Sequence, residues 1–324
     1  MSRRFLLTVL LLSTVAFVPY AATQNGTPPA TKVAPPEYGP PKGTLVIVGG
    51  GSTDGTTIME KFVELGGGVE GKFVVVPTAG GNRNQDGSLI KYEEEQVLRQ
   101  WKTRYGLKNV KMLHTHDPKV ANTIEFAKVL SDATAVWFNG GRQWNIVDSY
   151  AGTITYNEFH KVLERGGVIG GSSAGATIQG EYLVRGDTSG PNVMMTEEPN
   201  HQKGFEFLRK SAIDQHINAR LRWDDLIPVI KKYPNLLGIG LSEGTAIIVK
   251  GDQFEVMGKW KVAVHDSTRL YQPWEKPYFV LGAGDVYDMK ARKVVKYSDG
   301  TSGRRGGGGG GGSPTYKLQP ATNK

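Results

Sequence analysis

The sequence predicts an α/β fold. A mostly parallel sheet carries helices on both faces, and antiparallel strands are added at one edge near the C-terminus. Three observations carry this expectation. Short apolar runs alternate with helix-length amphipathic segments between residues 45 and 169. Glycine clusters stand where the predicted strands end: Gly49-Gly50-Gly51, Asn139-Gly140-Gly141 and Gly170-Gly171. Later the pattern becomes short strands with tight turns, as in Ala246–Lys250 and Phe254–Met257 around Gly251-Asp252.

Taken in order, Leu45–Val48 reads as a buried strand, because it is apolar throughout, mostly β-branched and too short for a helix. Thr57–Leu65 is the helix after it. Lys72–Val76 is the second strand, stopped by Pro77, which has no N–H for a ladder. Ile90–Tyr105 is an amphipathic helix and Val110–Leu113 the third strand. Asn122–Leu130 is helical, Ala135–Phe138 is the fourth strand, and Tyr156–Arg165 is a helix. Val168-Ile169 is the strand that enters Gly170. Lys261–His265 and Val286–Met289 extend the antiparallel part at the edge of the same domain. In such sheets ligands bind outside the carboxyl ends of the strands, where all three glycine clusters fall.

The chain ends differ from this middle. Arg3-Arg4, the apolar run Phe5–Val18 and the exit Pro19-Tyr20-Ala21-Ala22 predict a secretory signal over residues 1–22. The mature protein is then secreted or periplasmic, with no stable membrane association. Residues 23–42, rich in Pro, Thr and Gly, predict a linker; 43–300 form the domain; 301–324, with Gly306–Gly312 unbroken, form a disordered tail. The chain has no cysteine, which excludes disulfides, thiolate metal sites and cysteine nucleophiles. Its net charge of +8 is diffuse, with no Lys/Arg run that would mark a nucleic-acid surface.

Chemistry enters at Gly171-Ser172-Ser173-Ala174-Gly175, which fits the Gly-x-Ser-x-Gly nucleophile elbow. A sharp strand-to-helix turn of this kind exposes the serine Oγ and aims backbone N–H groups at a developing oxyanion. The serine needs a neutral base. Of the six histidines, His216 has the richest setting, Asp214-Gln215-His216-Ile217-Asn218-Ala219-Arg220-Leu221-Arg222. The arginines there would help keep the imidazole neutral and could grip carboxylates. A third group should orient the imidazole. Asp187 is the first choice, with Glu181, Glu197 and Glu198 as rivals that spacing does not separate.

Gly170–Ala176, the Asp214-Gln215-His216 segment with Arg220 and Arg222, and Phe138-Asn139-Gly140-Gly141-Arg142-Gln143 together resemble cyanophycinase and its relatives, the serine peptidase family that also contains dipeptidase E. Gly238–Ala246 adds a fourth match, and the likeness covers roughly residues 43–290. The resemblance implies a flavodoxin-like sheet related to class I glutamine amidotransferases. It implies Ser173 as nucleophile, His216 as base, and backbone amides near Gly141 and Ala174 as the oxyanion hole. It further implies a pocket lined by Gln143, Asp214, Gln215, Arg220 and Arg222, and a chemistry with no cofactor and no metal. The implied partner is a peptide substrate, cyanophycin or an acidic or isoaspartyl peptide, and a homodimer is compatible with it. Cyanophycin is a polyaspartate bearing arginine on its β-carboxyl groups. Two positions depart from the family pattern: Asp225, where cyanophycinases tend to carry a further arginine, and Ser242, where an aspartate usually precedes Glu243.

Other readings stay beside this one. They are an aspartyl or isoaspartyl dipeptidase of the same family, a non-hydrolytic peptide-binding protein, and an α/β-hydrolase esterase. The last would need more chain than lies between Ser173 and His216. His114-Thr115-His116-Asp117 offers two metal-ligand types at a predicted strand end, without further partners in the sequence. Gly49–Gly55 lacks the Gly-x-Gly-x-x-Gly spacing of a dinucleotide loop, so its tight turn fits better as a close backbone approach to the active site.

Overall fold

Strand residues that alternate between two packing layers organise the fold. The structure, a computed structural model, describes residues 34–84, 86–88 and 90–298. Five parallel strands form its centre: β1 (Thr44–Val48), β2 (Lys72–Val76), β3 (Asn109–Met112), β4 (Ala135–Phe138) and β5 (Val168–Ser172). The antiparallel strands β8 (Thr245–Lys250), β9 (Gln253–Gly258), β12 (Val286–Asp288) and β13 (Lys293–Lys296) continue this sheet beyond β1. The full order is β13-β12-β9-β8-β1-β5-β4-β2-β3. A second sheet, β11-β10-β7-β6, is made of β6 (Ser211–Gln215), β7 (Leu237–Leu241), β10 (Val262–His265) and β11 (Phe279–Leu281).

The period of two along each strand separates the layers. Val46, Val48, Val75 and Trp137 point to one face, where α1 (Ile58–Leu65) and α2 (Glu94–Thr103) supply Ile58, Phe62, Leu98 and Trp101. Their neighbours Leu45, Ile47, Val74, Val76 and Phe138 point to the other face. There they meet Ile146 and Tyr150 of α5 (Gln143–Tyr150) and Phe159 and Val162 of α6 (Ile154–Glu164). The short turns α3 (Pro118–Ala121) and α4 (Ile124–Ala127) precede β4, and α7 (Ala174–Thr177) follows β5. The second sheet joins this layer through Ile213, Ile239, Leu241 and Val264. Its outer side, with Ala212, is covered by Val229 and Ile230 of α8 (Ile227–Lys232). Capping marks several helix starts: Thr153 accepts from the Tyr156 amide at 3.2 Å, a contact of about 1 kcal/mol.

The parallel core and antiparallel edge are as the sequence predicts. One strand goes elsewhere: Val262–His265 pairs with β7 and β11 in the second sheet rather than at the edge of the first. Residues 36–39, within the 23–42 segment expected as linker, are hydrogen-bonded to the domain. Arg209 donates to the carbonyls of Pro36, Glu37 and Gly39, and Asp252 accepts from the Glu37 and Tyr38 amides. The expected signal segment 1–22 and the tail 301–324 lie outside the described residues.

Candidate active site

The carboxyl end of β5 carries the proposed nucleophile in an unusual backbone state. Ser173 has φ 57° and ψ −115°, a conformation that costs a non-glycine residue about 1–3 kcal/mol. Backbone packing on both sides holds it there. A Cβ on Gly171 would lie 2.2 Å from the Gly175 carbonyl oxygen, and one on Gly175 would lie 2.0 Å from that of Phe138. The Ser173 amide donates to the Val48 carbonyl at 3.1 Å, and its carbonyl accepts from Ala176 and Thr177. The first N–H groups of α7, those of Ala174 and Gly175, have no acceptor within the helix. The Gly140-Gly141 turn lies against the serine: a Cβ on Gly140 would come within 3.3 Å of Ser173 Cβ. The Arg142 amide pins that turn to the Ala79 carbonyl at 2.6 Å.

The second sheet brings the imidazole and a carboxylate to this serine. β6 and β7 run parallel, with Gln215 opposite Leu241, so the chain leaves both strands at the same end. His216 follows β6 directly and Glu243 lies in the turn after β7. Both turns are tied to the glycines after β1: the His216 amide donates to Gly49 at 2.8 Å and the Gly244 amide to Gly50 at 2.9 Å. Gly50 has φ 103°, and a Cβ there would lie 2.2 Å from His216 Cε1, so only glycine leaves room for the ring. His216 Nε2 stands 2.9 Å from Ser173 Oγ, and His216 Nδ1 stands 2.5 Å from Glu243 Oε1. An ionised Glu243 requires the proton on Nδ1, which leaves the Nε2 lone pair facing the serine hydroxyl. The Glu243 amide is itself held by Asn218 Oδ1 at 2.8 Å. Burial lowers the His216 pKa below the ordinary histidine value; the Glu243 contact opposes this, and the charges of Arg220 and Arg222 add to it.

Asp187, the sequence-based choice of acid, does not reach the imidazole. Its Oδ1 accepts from the Ser189 amide at 2.9 Å and the Ser189 hydroxyl, and its Oδ2 accepts from Thr196 at 2.8 Å. It therefore closes a surface loop, and Glu243 occupies the place expected for it. Two of the rivals are also engaged elsewhere: Glu181 accepts from the Lys210 amide, and Glu198 holds Thr188 and His201.

The expected pocket residues divide. Gln143 is buried and donates to the Val184 and Arg185 carbonyls at 2.8 and 2.7 Å, as a strut rather than a wall. Asp214 is fully buried, and its two oxygens take Arg185 Nε at 2.8 Å and Nη2 at 3.0 Å. Gln215 and Arg222 are buried near His216, yet Gln215 Oε1 and Arg222 Nη1 have no hydrogen-bond partner among the described residues. Arg220 is exposed. His114 Nδ1 meets Thr78 Oγ1, and His116 Nε2 meets the Gly81 carbonyl, each at 2.9 Å.

Comparisons with known proteins bear on this geometry. The sequence model of Peptidase family S51 matches residues 45–257, a span that includes the elbow, His216 and Glu243. A cyanophycinase of Geminocystis herdmanii is 26% identical over 271 residues, covering 76% of this chain and 94% of that protein. One of Synechococcus elongatus is 28% identical over 272 residues, covering 78% and 81%. The crystal structure of a peptidase from an acI-B1 Actinobacterium superposes with a TM-score of 0.59 at 23% identity, over 76% of this chain and 97% of that one, a likeness of fold.

Proposed function

The chain belongs to Peptidase family S51, a serine peptidase family, and from that membership we propose that it hydrolyses cyanophycin or a related aspartyl or β-aspartyl peptide at Ser173. The observation that carries the proposal is the unbroken line Ser173 Oγ, His216 Nε2, His216 Nδ1, Glu243 Oε1, at 2.9 and 2.5 Å. Oγ attacks the scissile carbonyl carbon while its proton passes to Nε2. The carbonyl oxygen becomes an oxyanion beside the N–H groups of Ala174 and Gly141. The imidazolium, stabilised by Glu243, returns the proton to the leaving amine as the C–N bond breaks. Water then attacks the acyl-enzyme as His216 takes its proton, and the imidazolium returns that proton to Ser173 Oγ as the Oγ–C bond breaks and the acid leaves.

The substrate class is supported by the names of the relatives and by Arg222, a buried guanidinium with an unsatisfied nitrogen beside the base. A substrate carboxylate would satisfy it. The test is incubation of the purified protein with insoluble cyanophycin and mass analysis of the soluble fraction. β-Asp-Arg dipeptides are expected; their absence, together with turnover of isoaspartyl dipeptides, would replace the polymer by the smaller substrate.

A further inference from the structure

We infer that Arg185 is a specificity-determining positioning residue: by occupying the carboxylates of Asp214 and Asp225, it keeps the Arg222 guanidinium free for a carboxylate of the substrate. The inference rests on the acidic-peptide reading above and assigns a role to a residue outside the Ser-His-Glu line. Arg185 is almost wholly buried and its backbone has φ 56°. Every part of it is held. Its amide donates to Met194 at 3.1 Å, its carbonyl accepts from Gln143 at 2.7 Å, and Nη1 donates to the Pro191 carbonyl at 2.6 Å. Nε and Nη2 form a two-point contact with Asp214, and Nη2 also meets Asp225. Asp214 lies two residues before His216, and Asp225 lies three residues after Arg222. One guanidinium thus joins the strand that delivers the base to the turn that carries Arg222.

Charge explains why that matters. Asp214 and Asp225 are the acidic groups whose fields reach Arg222, and Arg185 and Arg220 are the cations that repel it. Both carboxylates face Arg185 instead, so buried Arg222 lacks an ion pair among the described residues. Without Arg185, two uncompensated carboxylates would sit near Arg222 and compete with any acid entering the site.

The test uses the full chain and a neutral fluorophosphonate that labels Ser173, with N-acetylaspartate as a protecting ligand. In Arg185→Gln, labelling without the acid should proceed at close to the wild-type rate, while the protection constant weakens about tenfold or more. Arg185→Gln with Asp214→Asn and Asp225→Asn, which neutralises all three members of the cluster, should restore protection. Asp225→Asn, a change at a partly exposed residue, should tighten protection and decides the matter if the Arg185 variants do not fold. Normal labelling with protection unchanged in folded Arg185→Gln, or protection not tightened in Asp225→Asn, would overturn this inference alone. A wild-type protein that does not label at Ser173 would overturn the catalytic reading beneath it.

Discussion

In the large sheet the proposed nucleophile comes from contiguous sequence, whereas in the small sheet the proposed base and acid come from two turns that only strand pairing brings together. Residues 168–177 contain the strand, the strained serine and the first helical turn. His216 and Glu243 are 27 residues apart and meet because β6 and β7 pair in parallel register. The first arrangement is local and is set by small residues. The second depends on a sheet whose existence no short motif announces. The Gly49–Gly51 turn joins the halves, since it accepts the His216 amide and leaves space for its ring.

The largest effects should come from the group on each side of that seam. Ser173→Ala and His216→Ala should each lower kcat/KM by about 10⁴-fold or more, because nucleophile and base act as a unit. Each should alter stability by no more than about 1–2 kcal/mol, as read by thermal unfolding. Ser172→Ala serves as the control within the elbow. Inactivity of Ser172→Ala with an active Ser173→Ala would shift the elbow by one residue.

Next in size comes the acid, where the two readings part. Glu243→Gln keeps the shape but removes the charge that fixes the Nδ1 proton, and should cost on the order of 10²–10⁴ in kcat. Asp187→Asn should leave kcat within about threefold and act on loop stability only, since its oxygens serve Ser189 and Thr196. A reversed ranking in steady-state kinetics would return Asp187 to the site and break the proposed role of the small sheet.

That reversal would also bear on what the sequence made legible. The parallel core, the elbow and the His216 segment could be read because each is a local pattern of strand, glycine and polar residues. Glu243 was inside a visible motif, Gly238–Ala246, but nothing local distinguishes it from Asp187, which also follows an apolar run and opens a turn. The signal that could have found it is structural: two strand ends aimed at one glycine turn. Two of the expected pocket residues are engaged elsewhere for a related reason. Asp214 and Gln143 have polar side chains near the site, but their partners are Arg185 and main-chain carbonyls. Arg185 itself, between Val184 and Gly186, reads as an ordinary turn residue until Asp214 and Asp225 are seen around it.

The seam can be tested directly at Gly50. Gly50→Ala puts a methyl group where His216 Cε1 lies and asks a side chain to adopt φ 103°. The imidazole must move away from Ser173 Oγ, and a displacement near 1 Å is enough for about a hundredfold loss of kcat/KM. Backbone strain adds about 1–3 kcal/mol of destabilisation, measurable by chemical unfolding. A fully active Gly50→Ala would show that the ring is not seated against this turn.

The smallest effect separates the two kinds of charge around His216. Burial sets its pKa below the ordinary histidine value, Glu243 pulls it back up, and Arg220 and Arg222 push it further down. The base works only when neutral, so kcat/KM should be flat above that lowered pKa and fall as pH drops through it. Stability should follow the same sign. Between the ordinary value and the lowered one the unfolded chain binds the proton more readily, so stability declines as pH falls through that window. Arg220 is exposed, and its field at the ring is partly screened. Arg220→Gln should therefore raise the His216 pKa and move the acid limb to higher pH by about a few tenths of a unit at low salt, less at high salt. Arg222 is buried, so Arg222→Gln should move the limb in the same direction with little dependence on salt. Equal salt sensitivity of the two shifts, in pH profiles of kcat/KM, would mean that both arginines reach His216 through water and that the small sheet does not shelter Arg222.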